Sequence, residues 1–319
     1  MLRLGLLGAS KIAPGAVIAP ARKRDDVLIT ALAARDPARA EAYGEKHGIA
    51  AVAATYADLI ARDDVDMVYN ALPPAGHAEW TIKALEAGKP VLCEKPFARN
   101  ADEARAMVAA SERAGKHLIE AFHYRFHNVI LRARAIIASG ALGDIHRASA
   151  LFEVPIRRDI DDLRWRADQG GGALMDLGCY PLHLMRTLLA EEPGIREARA
   201  EFIDGVDAKM TAALAFPSGA RADISCSMIP ETFAARATLG GSTGRMEIIN
   251  FLAPQMGCKF TTTIGGETTE HPTDGPSTYE AQLDHVCAVM RGETAPLTGG
   301  ADAIAGMTAI DAIYRAAGR

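Results

Sequence analysis

The chain opens on a short apolar run, Leu2–Leu7, too brief for a helix and suited to a buried parallel strand. Val27–Ala33, Val65–Leu72, Val91–Glu94 and His117–Phe122 repeat the pattern. Between them lie helical stretches. One ends at Gly48 after Glu41–His47, one begins at Thr55, and Ala75–Ala87 is stopped by Gly88. A fourth opens with the Asn100-x-x-Glu103 capping box and closes at Gly115. Short strands alternating with helices predict a doubly wound parallel sheet over residues 1–122, with ligands gathering at its carboxyl edge.

The periodicity changes after residue 122. Asn128–Ser139 reads as one amphipathic helix and Ile145–Val154 as a long half-buried strand. From about 195 to 271, apolar/polar alternation is broken at Pro217-Ser218-Gly219, Gly240-Gly241 and Gly265-Gly266, which predicts hairpins of a largely antiparallel sheet. Helices Tyr279–Arg291, opened by Ser277-x-x-Glu280, and Ala301–Ala316 close the chain. The expected fold class is α/β: a doubly wound parallel sheet over 1–122 and a second domain over 123–319 built on a largely antiparallel sheet. Helices cover one face of such a sheet, so the other is expected to meet a second copy, as a homodimer or a dimer of dimers.

Composition narrows the partners. The 319 residues suffice for two domains, and a formal net charge of -5 gives no electrostatic reason to expect nucleic acid or an anionic membrane. The five cysteines (Cys93, Cys179, Cys226, Cys258, Cys287) form no C-x-x-C pair, so neither structural zinc nor a disulfide framework is expected. With the first strand starting at residue 2 and no apolar run of membrane-spanning length, a cytoplasmic, thiol-reduced protein is expected.

The first strand runs into Gly8-Ala9-Ser10-Lys11-Ile12-Ala13, a G-x-S-x-x-A variant of the turn that brings backbone N–H groups to a pyrophosphate. Gly8 would make the tight turn, Ser10 stands where a second glycine gives the phosphate room, and Ala13 permits close helix–strand packing. An ordinary glycine-rich strand–helix turn would look the same. At the end of the second strand stand Ala34 and Arg35, with Arg39 one helical turn on. Arginine here would accept the 2′-phosphate of NADP, whereas a carboxylate would hold the ribose of NAD. Asp36, followed by Pro37, reads better as a helix cap, so NADP is expected over NAD. The alternative for Arg35 and Arg39 is a solvated helix face. Two further strand ends carry Leu72-Pro73 with His77, and Glu94-Lys95-Pro96. Lys95 either points into the ligand crevice or lies in a surface proline turn; His77 either touches a cofactor or caps its turn.

Three glycines, Gly170-Gly171-Gly172, lead into a helical pattern on which Asp176, Tyr180 and His183 fall at i, i+4 and i+7. They would share one face, away from Leu177, Leu184 and Leu188. Carboxylate, phenol and imidazole together suit a wall for a polar substrate better than a core. Pro181 predicts a local kink. A metal held by Asp176, His183 and His123 is the weaker alternative, since the spacing matches no zinc signature, and none is expected.

Gly5–Ala13, Glu94-Lys95-Pro96, Glu120–His127 and Gly170–His183, in that order and spanning nearly the whole chain, resemble the Gfo/Idh/MocA family of oxidoreductases. The resemblance implies a Rossmann dinucleotide-binding domain over 1–122, a C-terminal α/β substrate-binding and dimerisation domain with an open sheet over 123–319, and dimers formed through that sheet. It also implies NAD(P)-dependent oxidation or reduction of a hydroxyl or carbonyl, usually on a sugar or cyclic polyol. It makes Lys95 the catalytic lysine and Tyr180 the catalytic tyrosine of a branch that includes NADP-dependent sugar dehydrogenases and dimeric dihydrodiol dehydrogenases. Trp165, Arg166 and Tyr279 match positions that line the nicotinamide end of related reductases, more loosely. Ser10 departs from the commoner glycine. A phenol, with pKa near ~10, is a poor base at neutral pH, and a lysine ammonium alongside makes it a better one. Asp176 would orient substrate or lysine, and His123 and His183 are candidates for substrate contact. A trans-dihydrodiol dehydrogenase or carbonyl reductase is the alternative enzyme, and a non-catalytic NADP-binding regulator the alternative of another class.

Overall fold

The protein is described here from a computed structural model covering residues 1–159 and 161–319. Contacts divide the chain into two compact units: Met1–Phe122 with Tyr279–Ile304, and His123–Thr278 with Ala305–Arg319.

In the first unit, β1 (Leu2–Leu7), β2 (Val27–Ala33), β3 (Ala51–Val52), β4 (Met67–Asn70), β5 (Val91–Cys93) and β6 (Leu118–Glu120) form one sheet in the order β3-β2-β1-β4-β5-β6. Every pairing is parallel. The crossovers carry α1 (Ala19–Arg22), α2 (Pro37–His47), α3 (Tyr56–Ile60), α4 (His77–Glu86) and α5 (Ala101–Ala114). The caps follow the sequence. Asp36 accepts the Arg39 N–H with Pro37 in the first turn, Thr55 and Asn100 cap α3 and α5, and Gly48 and Gly115 end their helices in the left-handed region. The β3 strand escapes the sequence because two residues carry no period. Helix α8 (Thr278–Met290) departs from the expected domain assignment. From Tyr279 onward it belongs to the first unit, where Leu283, Val286, Cys287 and Val289 join the buried cluster of Leu4, Leu6, Leu32 and Tyr69.

The second unit holds α6 (Asn128–Ala138), α7 (Cys179–Leu189) and an eight-stranded sheet. Its strands are β7 (Ile145–Glu153), β8 (Gly194–Ile203), β9 (Val206–Ala215), β10 (Arg221–Ser227), β11 (Ala234–Gly241), β12 (Gly244–Ile249), β13 (Lys259–Ile264) and β14 (Glu267–Glu270). The order is β14-β13-β12-β11-β7-β10-β9-β8, antiparallel except where β7 and β10 run parallel. The final helix, α9, spans Gly300–Ala316. At the expected break Gly240-Gly241, β11 ends and a hairpin leads into β12. There the ladder with β7 slips one residue, and a Cβ on Gly241 would meet the Leu142 carbonyl at 2.0 Å, so this glycine also serves close backbone approach. Among the described residues no helix is long and apolar enough to cross a membrane.

Behind the sheet, one carboxylate is entirely buried. Asp207 on β9 accepts the Leu174 N–H at 2.6 Å and the Tyr314 hydroxyl at 2.8 Å. A Cβ on Gly172, whose φ is +127°, would strike its Oδ1 at 2.1 Å. Strand alternation would put Asp207 outward with Lys209, so it was not recognisable as a buried group. Burial raises its pKa from 3.8 to about 6, against the two donors and Arg319. A group that binds its proton more tightly when folded adds stability as pH falls through 6 toward 3.8 and loses it as pH rises. That range corresponds to about 3 kcal/mol at ~1.4 kcal/mol per unit. Subtracting the stability–pH curve of Asp207→Asn from that of the parent should leave this slope between pH 4 and 6; a flat difference would refute it.

Candidate active site

In the first unit the β1 strand ends at Gly8, whose φ of +99° brings the backbone so close to Ala71 that a Cβ would sit 3.2 Å from its carbonyl oxygen. The helix does not follow at once. Ser10 Oγ accepts the Ala13 N–H at 3.2 Å, and a π-helical turn, Pro14–Ile18, leads into α1. Ala13 is fully buried in the core and Ala9 nearly so, while Lys11 and Ile12 are exposed. Ser10 thus takes a capping role that a glycine could not. Arg39 Nη2 donates to the Ala9 carbonyl at 2.8 Å and Tyr43 to the Ser10 carbonyl at 2.9 Å, tying α2 to the turn. Ala34 is buried and Arg35 exposed just beyond β2. The Tyr56 phenol lies near both guanidiniums; burial raises its pKa while Arg35 and Arg39 pull it down. The tight turn and two cations at the end of β2 fit a phosphorylated adenosine ribose.

The strand ends beyond β4 and β5 are joined by His77. Its ring is fully buried, with Nε2 at 2.8 Å from the Leu72 carbonyl and Nδ1 at 2.9 Å from that of Pro96. Burial lowers its pKa, against two carbonyls that favour the protonated ring. The His77 ring thus lies between the Leu72-Pro73 and Lys95-Pro96 loops, a carbonyl of each within hydrogen-bond distance of one ring nitrogen. Tyr69 donates to Glu94 Oε1 at 2.5 Å, and the other Glu94 oxygen accepts the Lys95 N–H at 3.3 Å. Glu94 is buried and Lys95 half-buried. Tyr279 stands by the same group: burial and Glu94 push its pKa up to about 12, while Lys95 opposes them.

In the second unit the expected kink at Pro181 is replaced by a π-helical turn, Leu174–Gly178, directly before α7. Pro181 then falls in the first turn of α7, where a missing N–H costs least. Gly178 lets this turn approach β10, since a Cβ there would lie 2.7 Å from Cys226 Sγ. Tyr180 and His183, both buried, do face one neighbourhood. The Tyr180 hydroxyl is 3.2 Å from His123 Nε2, and His183 Nδ1 is 2.6 Å from the Tyr124 hydroxyl. Tyr124 and Phe152 set their rings edge-on to Tyr180 at 5.8 and 5.6 Å. Asp176 pairs with Arg164 Nε at 2.6 Å, an arginine the sequence reading overlooked. His123 Nδ1 in turn is 2.8 Å from Thr278 Oγ1. Trp165 is buried with its indole N–H on the Arg157 carbonyl, and Arg166 is paired with Asp168. Among the described residues no cluster of three or more His, Cys, Asp or Glu side chains could hold a metal.

Comparison with known proteins fits this arrangement. Residues 2–122 match the profile of an oxidoreductase family with an NAD-binding Rossmann fold, and 130–247 that of the GFO/IDH/MocA C-terminal domain. The chain is 34% identical to D-xylose 1-dehydrogenase (NADP(+)) 2 of Haloferax volcanii, over 99% of this chain and 97% of that one. It is 32% identical to trans-1,2-dihydrobenzene-1,2-diol dehydrogenase of Oryctolagus cuniculus, over 71% and 68%. Aldose-aldose oxidoreductase from Caulobacter crescentus, solved with glycerol, superposes with a TM-score of 0.91 at 30% identity, covering 99% of this chain and 97% of that one. KijD10, a 3-ketoreductase from Actinomadura kijaniata solved with NADP and TDP-benzene, gives 0.87 at 27% identity over the same shares. The chain belongs to the Gfo/Idh/MocA family of oxidoreductases, with its dinucleotide-binding fold in residues 2–122.

Proposed function

We propose that this protein is an NADP-dependent dehydrogenase of a sugar or cyclic polyol, in which Tyr180 is the acid/base and Lys95 supplies a positive charge to the same reaction. The observation that carries the reading is the setting of Tyr180. Its ring is held by aromatic neighbours while its hydroxyl is hydrogen-bonded to His123, a polar arrangement that an apolar core does not need. The xylose dehydrogenase and aldose oxidoreductase relatives support the substrate class, and the NADP in the relative's name and in the KijD10 structure supports the cofactor.

When bound, the nicotinamide supplies the hydride acceptor or donor. In the oxidising direction Tyr180, as the phenolate that a neighbouring ammonium favours, takes the substrate hydroxyl proton and becomes the phenol while the hydride leaves the carbon that bears that hydroxyl. Lys95, anchored through its backbone on Glu94, stabilises negative charge developing on that oxygen. Gly8 and Ser10 shape the phosphate turn, while Arg35 and Arg39 would hold the 2′-phosphate. We assign 1–122 to the cofactor and the second unit to substrate and dimer formation. The outer face of its sheet, with Ser149, Thr238, Thr211 and the Arg236–Glu247 pair, would meet a second copy. A mass near twice 33.9 kDa by light scattering is expected; a monomer at every concentration would end the dimer proposal.

NADPH fluorescence on the purified protein, read against aldoses, inositols and trans-dihydrodiols, tests the reading. Turnover with an aldose or inositol and NADP+ is expected. Turnover confined to dihydrodiols would favour the second reading, for which the aromatic surroundings of Tyr180 and the rabbit relative speak. Cofactor binding without turnover on any of them would favour a regulator.

A further inference from the structure

We infer that His123 is a positioning residue that donates its Nε2–H to the Tyr180 oxygen, in a tautomer fixed by Thr278. The inference rests on the reading of Tyr180 as acid/base.

Thr278 is completely buried at the start of α8. Its backbone N–H reaches Gln255 Oε1 at 3.4 Å, which orients the Gln255 amide so that Nε2 faces Thr278 Oγ1 at 3.5 Å as a donor. The hydroxyl hydrogen of Thr278 therefore needs another acceptor. Among its hydrogen-bond partners in the described residues, His123 Nδ1, at 2.8 Å, is the one able to accept it. A neutral imidazole carries a single N–H, so Nδ1 as acceptor puts the hydrogen on Nε2. That hydrogen faces the Tyr180 oxygen at 3.2 Å.

A donor on the phenol oxygen has two effects. It turns the phenol's own hydrogen away from His123, and it favours the oxygen when that oxygen bears charge, since bonds to charged groups are the stronger ones. Tyr180, once its own hydrogen has been given up and the oxygen bears charge, would thus accept a substrate proton with an imidazole N–H already in place. His183 Nδ1 lies 2.6 Å from the Tyr124 hydroxyl, a second tyrosine–histidine pair beside the first. His123, which the sequence presented as a substrate contact, acts in this arrangement from behind the phenol.

The test combines kinetics and NMR. With NADP+ and D-xylose, or the aldose turned over best, His123→Leu should lower kcat roughly 10–100-fold, the worth of one hydrogen bond to a charged group, with KM for NADP+ within a few-fold. His123→Gln, whose amide N–H falls near Nε2, should recover most of the loss, which a merely structural defect would not allow. His123→Leu combined with Tyr180→Phe should be no slower than Tyr180→Phe alone. If Tyr180→Phe cripples the enzyme and His123→Leu multiplies that loss, the inference on His123 falls and the reading of Tyr180 stands. If Tyr180→Phe is nearly as active as the parent, that reading falls first. Independently of turnover, 15N shifts of the His123 ring should report the Nε2–H tautomer, changing to a mixture in Thr278→Val. An Nδ1–H tautomer in the parent would overturn the inference.

Discussion

Tyr180→Phe should lower kcat by roughly 10²–10⁴-fold, the usual worth of a positioned general acid/base. The substitution removes one oxygen and keeps the ring. Contacts with Tyr124 and Phe152, at 5.8 and 5.6 Å between centroids, therefore survive, and the buried site gains no polar group. His123 loses its partner at 3.2 Å but keeps Thr278. Taking this acceptor from the buried His123 N–H should cost folding about 1–3 kcal/mol, and KM for NADP+ should stay within a few-fold, because the phosphate turn and the arginines belong to the other unit. Rates within a few-fold of the parent would assign the proton to another residue.

The second large effect concerns the cofactor. Arg35→Ala should raise KM for NADP+ by roughly 10–100-fold while leaving KM for NAD+ within about threefold, since a charge-assisted bond to phosphate contributes ~1.5–3 kcal/mol. Arg35 is the cleaner of the two arginines to change. Arg39 also holds the Ala9 carbonyl at 2.8 Å, so Arg39→Ala would loosen the turn itself and weaken both cofactors. The ratio of the two KM values, not either alone, is the measurement. Equal losses for NADP+ and NAD+ would mean that Arg35 sees no 2′-phosphate.

The first unit was largely legible because its signals are local. A glycine at positive φ after β1, Asp36 before Pro37, and Asn100 three residues before Glu103 each act within a few residues. Where contacts are distant, the sequence was silent or misleading. His123 and Tyr180 are 57 residues apart, and Tyr124 and His183 are 59 apart, so spacing on α7 grouped the helix residues without naming their partners. Asp176 shares the helical spacing of Tyr180 and His183, and that spacing gave no sign of its pairing with Arg164. The α8 helix joins the first unit through an apolar stripe that could have covered either sheet. Nothing in the sequence signalled that His77 would lie between the Leu72 and Pro96 carbonyls, 19 residues away for the latter.

Whether Lys95 and Tyr180 serve one proton-and-hydride transfer is tested most directly by a double-substitution cycle. The rates of the parent, Lys95→Met, Tyr180→Phe and the combined variant are compared with saturating NADP+ and the aldose turned over best. Two groups acting on one substrate hydroxyl predict a combined variant about as slow as the slower single one. A combined loss equal to the product of the two separate losses would contradict it.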